Sequence, residues 1–197
     1  MKYFILILLF TPLLACSQDY NYKDGYRFIK KAEKALKNDK IKKAENLLKK
    51  ASNSNYGFCG NAWASAEGSI DLLKAQIANK KKNYDKALMI LDSIGGCSLG
   101  ADCNKRDSLK IETLFLKYGK NKVVDSFGLL EKVEKNENEY NDTYTVNLTE
   151  LNYKFTFGGG FAVTYVDENG EAIKQKTTDN EFVKIARNYP FYKLIEK

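Results

Sequence analysis

One arrangement of small and apolar residues occurs twice in this 197-residue chain, 43 residues apart, and it limits the possible fold more than any other feature. Between Asp24 and Lys50 these residues recur every three or four positions among lysines, which is the periodicity of an amphipathic helix. The dipeptide Asn38-Asp39 interrupts the pattern and predicts a turn between two antiparallel helices. The matched positions are Ala32 and Ala75, Ala35 and Ala78, Ile41 and Tyr84, Ala44 and Ala87, Leu47 and Ile90, Leu48 and Leu91, and Ala51 and Ile94. Because one helical hairpin cannot bury its apolar face alone, the repetition predicts hairpins that stack on one another.

A third hairpin with a weaker pattern follows the two matched ones. We expect Asp107 to cap a helix that ends at Gly119, because short polar residues favour helix starts and glycine favours helix ends. A second helix should continue through the apolar residues from Val123 to Val133. This unit is predicted to close the stack, since terminal units of repeat proteins are often atypical.

The pattern changes from helical to alternating after the third hairpin. Residues 131–142 are acidic and rich in asparagine, and we interpret them as a helix end and a linker. Three runs alternate with a period of two and predict β-strands, at Tyr144 to Leu148, Tyr153 to Phe157 and Phe161 to Tyr165. A hairpin turn is expected at Asp167-Glu168-Asn169-Gly170, and a short helix capped by Asp179 or Asn180 should contain Phe182, Ile185 and Ala186. The predicted class is α+β and predominantly α, with stacked antiparallel helical hairpins over residues 24–134 and a small antiparallel β-meander with a terminal helix over 143–197.

The first residues predict export. Met1-Lys2 precedes an apolar run of 13 residues, which as a helix would reach only about 20 Å and is too short to cross a bilayer. Residues 1–15 are therefore interpreted as a signal peptide. Leu13-Leu14-Ala15-Cys16 resembles the lipobox of bacterial lipoproteins, which implies cleavage before Cys16, lipid attachment to its sulfur and a tether over residues 16–23.

Two further expectations follow at this end of the chain. By the same resemblance, Ser17 favours transfer to the outer membrane. The alternative is ordinary secretory cleavage after the small residues of Ala15-Cys16-Ser17, which would give a secreted or periplasmic protein.

The second matched hairpin resembles the tetratricopeptide repeat, most clearly in Asn83-Tyr84-Asp85-Lys86-Ala87-Leu88. The family's tryptophan near the start of the first helix and its closing proline are missing, and the 43-residue period exceeds the usual 34. The resemblance implies a short solenoid whose first helices line a groove that holds a peptide or a helix. The family's groove positions fall here on Tyr26, Ile29, Glu33, Lys37, Ser69, Leu72, Gln76, Asn79 and Lys80.

Catalytic and metal-binding residue sets are scarce in the sequence. The chain has no histidine, which excludes Ser-His-Asp and Cys-His catalysis and histidine-containing zinc sites. Its cysteines lack the Cys-x-x-Cys spacing of a metal site. We predict no catalytic residue, no metal and no cofactor. Nucleic acid is not expected as a partner after export, because no aromatic residues alternate with the lysines to stack on bases.

Three cysteines remain after the predicted lipid attachment site. Cys59, Cys97 and Cys103 should all lie at one end of an up-and-down helical stack. A Cys97–Cys103 disulfide would close a short loop, and a Cys59–Cys97 disulfide would join a helical hairpin. The sequence leaves both pairings open.

The function predicted from these features is binding rather than catalysis. The leading hypothesis is a lipid-anchored envelope protein that acts as a scaffold for an unidentified protein or peptide partner in the helical-repeat groove. An inhibitor or immunity-type protein that blocks a toxin or hydrolase through its β-rich region is the first alternative. The second is an enzyme that acts on envelope glycan through acidic residues and aromatic residues such as Trp63.

Overall fold

The computed structural model describes residues 21–95, 97–136, 142–159 and 180–196, and within them three helical hairpins precede a small sheet. The helices are α1 (Tyr22–Lys37), α2 (Ile41–Ser52), α3 (Gly60–Lys80), α4 (Tyr84–Ser93), α5 (Cys103–Tyr118) and α6 (Lys120–Gly128). Short polar residues cap three of them: the side chains of Asn21, Asn83 and Asp102 accept hydrogen bonds from the backbone nitrogens of Asp24, Lys86 and Lys105.

The two matched hairpins turn with the same backbone geometry. Asp39 and Lys82, 43 residues apart, both adopt a left-handed conformation, with φ of 55° and 58°. The residue after each donates its backbone N–H to an alanine carbonyl five positions earlier, Lys40 to Ala35 and Asn83 to Ala78, at 2.9 Å in both cases. These bonds satisfy carbonyls that the end of a helix would otherwise leave without a partner. The sequence repetition therefore corresponds to a repetition of local structure.

Small residues on the matched faces allow neighbouring helices to pack closely. Ala32 and Ala75 are fully buried, and so are Ala44 and Ala87 to within 1%. The long helix α3 contacts both helices of the first hairpin, and α5 contacts both α3 and α4. Each hairpin is thus in contact with the next. Among the described residues, no helix combines the length and the apolar character needed to cross a bilayer.

The third hairpin differs from the prediction at both ends. Helix α5 begins five residues earlier than expected, at Cys103, and Asp102 caps it in place of Asp107. Asp107 lies inside the helix and is 1% exposed, so the prediction that it caps the helix is wrong. Helix α6 ends at Gly128, five residues before Val133. The expected stop at Gly119 is confirmed, since this glycine has a φ of 87° that favours a residue without a side chain.

A three-stranded antiparallel meander follows the helices. It consists of β1 (Glu134–Asn136), β2 (Thr143–Leu148) and β3 (Tyr153–Gly158), in the order β1-β2-β3. Strand β1 lies in the segment interpreted as a linker. It is three residues long and all of them are exposed, so the sequence has no alternation of apolar and polar residues there that would predict a strand. The predicted strand at residues 161–165 and the turn at 167–170 lie outside the described residues.

Two short helices, α7 (Glu181–Ala186) and α8 (Tyr192–Ile195), complete the described chain. Asn180 caps α7 by accepting a hydrogen bond from the backbone nitrogen of Val183, as predicted. The α+β class, mostly helical with a small antiparallel sheet and a terminal helix, is confirmed.

The sheet shares one apolar core with the third hairpin. Phe155 and Phe157 of β3 are fully buried against residues of α5, α6, α7 and α8. Phe157 contacts Phe191 with the ring centres 5.0 Å apart. The apolar core therefore continues across the predicted boundary between residues 134 and 143.

Candidate functional site

An open groove runs along one face of α3, between α2 and α4, and we call it the α3 groove. Its floor is formed by residues that recur every three or four positions, which places them on one side of a helix. Three adjoining cavities of about 520, 280 and 350 Å³ make up the groove. The floor residues from α3 are Trp63, Glu67, Ile70, Asp71, Lys74, Ile77, Ala78 and Lys81, the last at the C-cap.

The largest of the three groove cavities lies over the C-terminal half of α3 and has an apolar base with a basic rim. Leu48, Ile77 and Ala78 form the base and are at most 5% exposed. Four lysines surround them, and two of these form ion pairs: Lys74 with Asp71 at 2.9 Å, and Lys81 with Glu45. The other two are Lys49 and Lys86. Among the described residues, neither forms an ion pair with a carboxylate. This end of the groove therefore carries positive charge that is not neutralised within it.

The other end of the groove combines an aromatic ring with carboxylates. Trp63, Glu67 and Asp71 follow one another at four-residue spacing on α3 and line both smaller cavities. The indole nitrogen of Trp63 donates to the carbonyl of Gly57 at 2.7 Å, and its ring contacts the edge of Tyr56 with centres 5.2 Å apart. These contacts fix the orientation of the indole at the wall between the two cavities.

Shared residues connect the three cavities into one surface. The first and second cavities have Ser52 and Lys74 in common, and the second and third share Trp63, Glu67 and Asp71. The carboxylates of Glu67 and Asp71 belong to neighbouring turns of the same helix. They do not face each other across the cleft, as the two carboxylates of a glycosidase would.

The predicted groove residues lie on other faces of α1 and α3. Ile29 and Leu72 are buried in the core, at 8% and 3% exposed. Tyr26 donates to the carbonyl of Ala62, Ser69 donates to the carbonyl of Ser65, and Asn79 donates to Thr113 at 2.8 Å. Lys37 pairs with Glu33, Lys80 pairs with Asp39 in the turn between α1 and α2, and Gln76 is half-buried.

The structure therefore brings none of the nine predicted residues to the α3 groove. A ligand role for those of them that are exposed remains a prediction.

The predicted disulfide alternatives resolve to one pairing. Cys97 and Cys103 are bonded, with Cα atoms 5.6 Å apart, and Cys59 is exposed and free at the N-cap of α3. The loop that the disulfide closes lies near the start of α3. A Cβ built on Gly100 of this loop would lie 3.6 Å from the carbonyl oxygen of Asn61 in the first turn of α3. The disulfide thus closes a loop beside the Trp63 end of the groove.

A buried polar cluster holds the sheet against α5. Arg106 bonds Asp107 at 2.8 Å and donates to the carbonyls of Ile94 and Gly158. Lys110, 2% exposed, donates to the carbonyl of Thr156 at 3.0 Å and pairs with Asp92 at 2.8 Å.

Burial shifts the ionisation of two groups in this cluster. It raises the pKa of Asp107 against the opposing attraction of Arg106, and it lowers the pKa of Lys110 against the attraction of Asp92. The cluster joins α5 to β3 and therefore has a structural role. Among the described residues, no group of three or more cysteine, aspartate or glutamate side chains could hold a metal ion.

The sequence contains a signal for the α3 groove that the family resemblance does not indicate. Trp63, Glu67, Lys74 and Lys81 lie on one helical stripe that is neither uniformly apolar nor uniformly charged. A stripe of this kind on a long helix indicates a face that is half-covered by its neighbours. Comparison of the chain with protein-family models, curated proteins and solved structures finds no match.

Proposed function

We propose that this protein is an exported, lipid-anchored scaffold that holds a partner protein on its helical hairpins. The observation that carries the proposal is the α3 groove, with its apolar base beside Lys49 and Lys86. An apolar floor supplies binding free energy, and charges at the rim select the partner and fix its position. We propose binding rather than catalysis because, of the three carboxylates that line the groove, Glu67 and Asp71 lie on the same helix and Glu45 is paired with Lys81.

The anchor is proposed from the sequence alone. Acylation of Cys16 would hold the hairpins at a membrane surface through the tether of residues 16–23. Mass spectrometry of the N-terminal fragment of the mature protein tests this, since it should begin at Cys16 and carry acyl chains. A Cys16→Ala variant should leave the membrane fraction. A mature chain that begins after residue 17 without lipid would favour secretion instead.

Partner binding is tested by recovery of partners from envelope extracts with matched charge reversals. We expect Lys49→Glu combined with Lys86→Glu to reduce recovery of the partner at least tenfold, because both lysines lie on the groove rim. The matched variant combines Lys37→Glu with Lys80→Glu, on the face predicted from the family resemblance. If only the variant with Lys37→Glu and Lys80→Glu loses the partner, the binding site is the face of α1 and α3 that the family resemblance predicts. Equal recovery of the partner by the wild type and by both double variants would contradict both sites.

The β-rich alternative requires a test other than deletion. Removing residues 144–197 would expose the core that the sheet shares with α5 and α6, so loss of binding could reflect unfolding. Reversal of the exposed Lys154 to glutamate changes the surface of β3 without opening this core. Loss of the partner in that variant alone would favour the inhibitor function.

A further inference from the structure

The shape of the α3 groove suits one helix of a partner. Helix α3 has 21 residues and spans about 32 Å, and its exposed stripe lies between α2 and α4 along this length. The floor is itself a helix, whose backbone hydrogen bonds are already made, so it cannot pair with an extended strand. A helix satisfies its own backbone and needs only a side-chain surface of ridges and grooves.

The two ends of the groove carry opposite charge. At the end near the C-terminus of α3, Lys49 and Lys86 form no ion pair among the described residues, while Lys81 is paired with Glu45. Toward the N-terminus of α3, the exposed Glu67 forms no ion pair among the described residues, while Asp71 is paired with Lys74. The charge without an ion-pair partner is therefore positive at the first end and negative at the second. Glu67 and Lys81 are 14 residues apart, which corresponds to about 21 Å along the axis. This separation exceeds the screening length of about 8 Å at physiological ionic strength. Each end therefore attracts its own charge independently of the other.

Charge complementarity selects the partner and its direction. We infer that the groove binds an amphipathic helix with an acidic N-terminal half and a basic C-terminal half, lying antiparallel to α3. This charge order is the stable one for a helix, since its dipole favours acidic residues in the first turn and basic residues in the last. The acidic half then lies at Lys49 and Lys86, and the basic half lies at Glu67, where the ring of Trp63 is available to a cation. This inference rests on the proposed function and specifies its partner.

The single tryptophan of the chain provides a direct measurement of binding. The probes are two 20-residue amphipathic helical peptides without tryptophan, of identical composition, one acidic-to-basic from its N-terminus and one in the reverse charge order. We expect the first peptide to change the fluorescence of Trp63 and to bind the mature protein at least tenfold more tightly than the second. Equal affinity for the two peptides would overturn the inferred direction.

Charge exchange in the protein makes the test symmetrical. The variant Lys49→Glu, Lys86→Glu and Glu67→Lys should reverse the preference and bind the second peptide more tightly. The pair Lys37→Glu and Lys80→Glu, outside the groove, should leave both affinities within twofold. Circular dichroism establishes that each variant is folded before it is compared. An unchanged preference in the exchanged variant would overturn the inference.

Cys59 reports the orientation independently, because it is exposed at the N-cap of α3 beside the acidic end. A peptide with an activated disulfide at its C-terminus should label Cys59 at least tenfold faster than one activated at its N-terminus, and Cys59→Ser should abolish labelling.

If the protein recovers an envelope partner through Lys49 and Lys86 but neither peptide binds, the inferred helix is wrong and the proposed function stands. If the peptides bind in the inferred order but no envelope partner depends on these lysines, the proposed function fails instead.

Discussion

Asp107 in α5 accepts a 2.9 Å hydrogen bond through Oδ2 from the backbone nitrogen of Gly158, 51 residues later at the end of β3. Arg106, the preceding residue, donates to the carbonyl of the same glycine at 2.9 Å. Two adjacent side chains of one helix thus satisfy both backbone groups of the last residue of the sheet. Arg106 also donates to the carbonyl of Ile94 at the end of α4, so this pair links the second hairpin, the third hairpin and the sheet.

Neutralising Asp107 should be strongly destabilising. Asp107→Asn keeps the shape of the side chain but leaves the guanidinium of Arg106, 7% exposed, without its carboxylate. Breaking a buried ion pair in this way costs about 3–5 kcal/mol of unfolding free energy. The exposed pair of Asp85 with Lys117 provides the control, because Asp85→Asn should cost less than about 1 kcal/mol. Urea denaturation measures both, and similar losses would show that the buried pair is not important for docking the sheet.

Stability should fall above pH 10, in part because of Tyr189. Burial raises the pKa of Tyr189 to about 12 from an ordinary value of 10, so the unfolded chain loses this proton before the folded protein does. This contribution is present below pH 10 and is lost as the pH rises from 10 to 12, by at most about 1.4 kcal/mol per pH unit. In Tyr189→Phe the decrease in unfolding free energy between pH 10 and 11 should be shallower than in the wild type. Parallel curves for the two proteins would contradict this assignment.

Loss of the disulfide should lower stability moderately. Cys97 and Cys103 are six positions apart in the sequence. Replacing both by serine opens the loop between them, which should lower the free energy of unfolding by about 2.4 kcal/mol on the chain-entropy description. Cys59→Ser should change stability by less than about 0.5 kcal/mol, because this thiol is exposed. A reducing agent should lower the melting temperature of the wild type and of Cys59→Ser but not that of the double variant. Equal sensitivity of all three proteins would contradict the pairing.

Gly25 should respond to alanine in the direction opposite to most helical glycines. Alanine usually stabilises a helix by about 0.5–1 kcal/mol relative to glycine. A Cβ at Gly25, however, would lie 2.6–2.7 Å from the ring of Tyr56, which is 3% exposed and donates to the carbonyl of Ala51. We expect Gly25→Ala to destabilise by about 1–3 kcal/mol, as overpacked cores do.

The control for this prediction is Gly128→Ala at the end of α6. A Cβ there would have no neighbour within 4 Å, so the ordinary gain should appear. Urea midpoints of the two variants should move in opposite directions. A stabilised Gly25→Ala would mean that Tyr56 can move aside without losing its contacts.

Features that depend on nearby residues were predicted well from the sequence. The turn at Asn38-Asp39, the cap at Asn180 and the stop at Gly119 each rest on hydrogen bonds or backbone angles within about five residues. The predicted cap at Asp107 failed for the complementary reason. Asp102 and Asp107 are both suitable helix starts by local propensity, and only the distant Gly158 makes the second one a buried anchor.

Side-chain periodicity and capping are local properties of the chain, and they were enough to predict the helical hairpins, their turns, the class of the fold and the buried small residues. Three outcomes could be read only from the packed molecule: which face of α3 stays open, which of Cys59, Cys97 and Cys103 remains free, and where the third hairpin merges with the sheet. These outcomes depend on how α2, α4 and β3 approach α3 and α5 from distant parts of the chain. Spacing along one helix specifies that a stripe such as Trp63 to Lys81 exists, but the packing of its neighbours specifies whether that stripe becomes core or groove.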